Sequence, residues 1–102
     1  MKYVIDQDRL DRLILKYITD NLGEYHPAKD PDSYELGRFI KDGEFMAVIV
    51  GHDEIILGIN EMFFDNIFRI FSIPLIDNKV FLLLKGIVKD VTGAEVKRLL
   101  MI

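Results

Sequence analysis

Residues 6–22 carry the strongest pattern in the chain. Leu10, Leu13, Ile14, Tyr17, Ile18 and Leu22 recur at three- and four-residue spacing, while Asp11, Arg12, Lys16, Thr19 and Asp20 fill the opposite side. That spacing predicts an amphipathic helix. Asp6 stands where a carboxylate accepts from the unpaired amides of a first turn. Asp8 adds negative charge at the positive end of the helix dipole. Ile5 and Leu10 occupy the staple positions that fix the entry of the chain, and Gly23 follows as a left-handed terminator.

Residues 26–33 (HPAKDPDS) hold two prolines and no apolar period, so they predict a loop. Beyond it, residues 36–41 and 44–50 are β-prone runs on either side of Asp42-Gly43. Asp-Gly in that position predicts a two-residue hairpin turn, because both central residues need positive φ. The continuous apolar run 45–50 suits a central strand covered on both faces, or nearly so. A further turn at residues 51–54 leads to a third strand, 55–59, which completes an antiparallel meander.

Phe63, Phe64, Ile67, Phe68 and Phe71 return to helical spacing, with Asn60 as cap and Pro74 as stop; Phe63, Ile67 and Phe71 form the inward set and Phe68 falls at its rim. Asp77 can cap a third helix in which Val80, Leu84, Ile87, Val88 and Val91 share one face and Gly93 closes the end. A hairpin of 80–84 with 87–91 through Lys85-Gly86 is the competing reading. Helix is preferred, because Lys85, Lys89 and Asp90 then fall on the solvent side. The tail 96–102 is short and apolar and reads as a returning strand, although the Thr92 to Glu95 spacing also fits a helical turn. The sum is an α+β fold in one globular domain, residues 1–102: an N-terminal amphipathic helix, a three-stranded meander, two further helices and a possible C-terminal strand.

The opening MKYVIDQDRLDRLILKYITDNLG, the Phe-rich stretch 63–71 and the closing Val96-Lys97 resemble small uncharacterised proteins of marine phages and environmental sequence collections. The resemblance implies an α-β-β-β-α-α-β order. Those proteins have no established activity, so it transfers no site residue and no cofactor. The last third of the present chain is less polar than theirs.

Half of the 102 residues are hydrophobic and 29% are charged, with no cysteine and no tryptophan. A chain of this size buries only ~65% of the surface its unfolded form exposes, so its apolar matter must pack tightly or meet a partner. Apolar stretches are interrupted by Arg69, Pro74, Lys85 and Lys89 before they reach the ~20 residues that span a bilayer. No membrane association is expected. The opening residues meet Asp6 at once, unlike a signal peptide. Without cysteine there is neither a disulfide framework nor a thiolate metal site, and the expected home is the cytoplasm, including that of a phage-infected cell. A net charge of −4 repels phosphate backbones, and Lys97-Arg98 is the one basic pairing near an end. Nucleic acid is not an expected partner unless Lys41, Lys85 or Lys89 joins that pair on one surface.

Candidate chemistry is sparse, and no cofactor is expected. His52 with Asp53 and Glu54 is the most polar cluster between strands; a small enzyme or metal-binding protein could use it with carboxylates from elsewhere, or with His26. The competing view is a solvated turn. Asp30, Asp32 and Glu35 fail the calcium-loop pattern, which requires glycine at the sixth position and glutamate at the twelfth; here these are Glu35 and Lys41. Ser33 and Ser72 lack the glycines of a nucleophile elbow.

A self-association surface is the stronger expectation. On the third helix Leu82, Leu83 and Gly86 point away from the inward stripe, with Gly86 leaving a notch beside Leu82. Burying a leucine is worth ~2 kcal/mol, so this face, or the Phe68 rim, is the candidate contact of a homodimer.

Overall fold

The computed structural model describes residues 7–30, 34–51, 53–72 and 78–102. Ile5, Asp6, His52, Pro74 and Asp77 lie outside them. The element order is α1 (Gln7–Leu22), β1 (Glu24–Pro27), β2 (Glu35–Lys41), β3 (Glu44–Gly51), β4 (Ile55–Ile59), α2 (Glu61–Phe71), α3 (Lys79–Thr92) and β5 (Arg98–Met101). The five strands form one sheet in the order β1-β2-β3-β4-β5, antiparallel from β1 to β4 and parallel between β4 and β5. The α+β class holds, and the helix–strand order read from the sequence holds apart from one added strand, β1.

Local chemistry accounts for the junctions. Asp42 and Gly43 take φ of 52° and 80°, as the hairpin turn demands. Asn60 caps α2 by accepting from the Phe63 amide and donates to the Phe45 carbonyl, so one side chain ties the helix to β3. Gly93 closes α3 with φ of 79°. Thr92 does not form a capping box: its hydroxyl donates to the Val88 carbonyl and accepts from the Ala94 amide. Lys79 reaches Asp11 at 3.0 Å and links α3 to α1.

β1 was not expected. His26 and Pro27, assigned to a loop by their composition, instead pair with Arg38 and Gly37. A proline is tolerated there because β1 is an edge strand whose outward amides have no ladder partner. Gly23 makes the abrupt helix-to-strand step possible. Its φ is +88°, and a Cβ would come within 2.1 Å of the Ile40 carbonyl oxygen.

The core lies between one face of the sheet and the three helices. Ile14, Ile18 and Leu22 of α1, Phe63, Ile67 and Phe68 of α2, and Val80, Leu84, Ile87 and Val88 of α3 join Phe39, Ala47, Ile49, Leu57 and Ile59 in one buried cluster. Tyr17 stacks on Phe63 at 6.3 Å and meets Phe71 edge-on at 5.6 Å, locking α1 to α2. Several helical assignments shift. Leu13 sits at the margin of the α1 stripe and is largely exposed. Val91 lies on the inward arc of α3 but in its last turn, where the packed arc runs out, and is exposed as well. Phe68 is only 6% exposed rather than at a rim, its ring edge-to-face on Phe64 at 4.9 Å.

Candidate interaction surface

Strand alternation sends every second side chain to the face of the sheet opposite the helices. Two bulges adjust that alternation. In the β2–β3 ladder, Phe39 pairs with Ala47 and Ile40 with Phe45, so Met46 is an extra residue and turns into the core beside Ala47. Further along, Glu35 pairs with Val50 and Gly37 with Ile49, which leaves Leu36 as the extra residue of β2.

On the far face the ladders line up residues in rows. One row runs Arg38, Val48, Gly58, Leu100 across β2 to β5. The next runs Glu35, Val50, Ile56, Arg98. Ile40, Phe45 and Ile102 extend the apolar area. None of Val48, Val50, Ile56, Leu100 or Ile102 belongs to the core cluster, and no helix of the described residues packs over them. Leu100 is 56% and Ile102 55% exposed. The face is levelled from within, where Val48 and Ile102 close over Gly58. A Cβ on Gly58 would sit 3.0 Å from a Val48 methyl and 3.3 Å from an Ile102 methyl.

Ion pairs bound the face on two sides. Arg38 bonds Glu35 and lies 5.6 Å from the centre of the Phe45 ring. Arg98 meets Glu54 at 2.6 Å. Both pairs are solvent-accessible and worth little in isolation. The arrangement is an apolar floor with an acid–base pair at each margin.

The surface expected on α3 is reduced. Leu82 is 58% exposed and a side chain at Gly86 would meet nothing, so the notch is open. Leu83, however, is half-buried and packs against the core, as the edge of the inward arc requires. Phe68, inside the core, presents nothing to a partner. One exposed leucine beside a glycine is an ordinary feature of a protein surface.

The polar candidates do not converge. His52 is outside the described residues; Asp53, Glu54, Ile56 and Arg98 line a shallow, open depression of about 270 Å³, in which Glu54 is engaged by Arg98. His26, exposed on β1, lies at a different depression with Gly23, Lys41 and Asp42. Among the described residues no three His, Asp or Glu side chains are grouped as a metal site. No described helix is long and apolar enough to cross a membrane. Lys97 and Lys89 both approach Glu95, at 3.8 and 3.7 Å, while Arg98 turns to Glu54, so the basic pair is divided between two acidic partners. No family model matches the chain, and neither the curated proteins nor the solved structures contain a significant match.

Tyr25 adds one feature to the helix-side face. Its ring covers Gly37, where a Cβ would lie 2.3 Å from the phenolic oxygen, and its hydroxyl donates to the Leu36 carbonyl. Burial raises its pKa above the usual 10.0, because the phenolate would lose solvation. Sequence reasoning missed the open sheet face altogether. The apolar run 45–50 was assigned to a strand covered on both sides, and composition alone does not distinguish a covered face from an uncovered one.

Proposed function

We infer that the protein is a non-catalytic interaction domain that self-associates through the open face of its sheet. The observation that supports this reading is the apolar floor of Val48, Val50, Ile56, Leu100 and Ile102, with no helix of the described residues above it. Contiguous apolar area of that kind, rimmed by charged groups, is how protein contact sites differ from scattered exposed leucines. Sheet faces of this type close on one another at a spacing of ~10 Å. The contact is modest in extent, so association in the micromolar range is expected rather than an obligate assembly.

Light scattering tests the reading. In the micromolar range the chain should weigh about twice its 11.8 kDa. Ile56→Glu should return it to a single chain, whereas Leu82→Glu on α3 should leave the assembly intact. A single chain's mass throughout that range rejects self-association. Loss of the dimer in Leu82→Glu but not in Ile56→Glu moves the contact to α3.

A further inference from the structure

Given self-association through this face, the charges at its margins select one geometry. Two identical sheets stacked face to face by a two-fold axis have that axis lying between them, in the plane of the contact. An axis running along the strands, between β3 and β4, carries each row onto itself in reverse order. The row Glu35, Val50, Ile56, Arg98 then meets Arg98, Ile56, Val50, Glu35. The acidic end of one row lies over the basic end of the other, twice per dimer.

We propose that the chain forms an isologous dimer in which β2 of one copy stacks over β5 of the other, with Glu35 facing the partner subunit's Arg98. Charge complementarity between the two ends of one row supports a second copy as the occupant. An axis across the strands would instead place Glu35 over the partner subunit's Glu35 and Arg98 over the partner subunit's Arg98. Like charges so opposed disfavour a register, which is how charged rims fix orientation.

The intrachain pairs need not break. Glu54 holds Arg98 within one copy, and Glu35 is held by Arg38 within the other. Stacking joins them into a run of alternating sign: Glu54, Arg98, the partner's Glu35, the partner's Arg38. Val50 of each copy lies over the partner's Ile56 at the centre of the row. The twist of each sheet turns the two strand sets by ~30°, which displaces the margins by about one residue, within reach of an arginine. β1, one strand further out than β2, projects past the partner's β5, so its charged Glu24 stays in water.

A charge-exchange experiment reads this geometry directly. In Glu35→Arg alone, both margins of the dimer become basic on basic. In Arg98→Glu alone, both become acidic on acidic. An equimolar mixture of the two variants restores an opposite pair at both margins. Sedimentation should find each variant's dimer weakened at least tenfold relative to the native chain, and the mixture restored to within about threefold. The intrachain costs of each substitution are the same alone and mixed, so they do not affect the comparison, and far-UV circular dichroism checks that both variants are folded. Variants that dimerise as well alone as mixed, or a mixture that stays as dissociated as its components, overturn the proposed stacking. Native protein that is monomeric in the same experiment overturns the self-association reading on which it rests.

Discussion

The two faces of the sheet are built from alternate residues of the same strands, and they differ in what covers them rather than in what they are made of. Ile49 and Leu57 face the helices and are fully buried; their neighbours Val50 and Ile56 are equally aliphatic but look the other way. Three helices with broad apolar arcs suffice to close one face. None of the described residues is left to close the other. In a chain of this size an uncovered aliphatic face has no structural role that smaller or polar side chains would not fill as well. That is the basis of the contact proposed for it.

The comparison is sharpened most by truncating neighbours. Leu57→Ala removes three heavy atoms from the closed cluster, while Ile56→Ala removes three from the open face. Thermal or urea unfolding should show a loss of ~2–5 kcal/mol for Leu57→Ala, the range for leucine truncation in a core. Ile56→Ala should cost about 1 kcal/mol or less at concentrations where the chain is a monomer, since that side chain exchanges less surface with water. Its cost should grow with protein concentration, because the variant also loses the stabilisation that association lends the native chain. Equal, concentration-independent losses at the two positions would mean that both faces are covered.

The smallest effect belongs to Tyr25. Its phenol is harder to ionise folded than unfolded, so the unfolded chain releases the proton first as pH rises. The native state then holds more protons than the unfolded one, and stability falls with pH from about 10 upward, being unaffected by this group below that value. Urea midpoints measured across that window should drop more steeply for the native chain than for Tyr25→Phe. Parallel slopes would show that the ring over Gly37 is better hydrated than its burial suggests.

How far the sequence carries this account depends on which signals are local. Helix α1, the Asp42-Gly43 turn, the Asn60 cap and the Gly93 terminator are each specified by residues within a few positions, and all were legible. The preference for a helix over a hairpin at 80–91 was legible too, because Lys85, Lys89 and Asp90 mark a solvent side. β1 was not, since a four-residue edge strand borrows its order from β2 and needs no apolar period of its own. The parallel seating of β5 on β4 was equally hidden: it depends on α2 and α3 serving together as the crossover. Phe68, Leu83 and Leu13 were misplaced for one shared reason. Helical spacing gives the centre of a buried arc, while its width is set by whatever packs alongside. The open face lies beyond sequence reach for the same reason, because coverage is a property of the assembled layers.

We propose that this chain meets its own copy through the open face of its sheet. Methyl signals of Val48, Val50, Ile56 and Leu100 can be followed in solution with a soluble paramagnetic agent, at protein concentrations below and above the association midpoint. These methyls should be attenuated when dilute and protected when concentrated, while those of Leu13 and Leu82 should be attenuated throughout. Open-face methyls that remain as accessible as Leu82 at every concentration would contradict it.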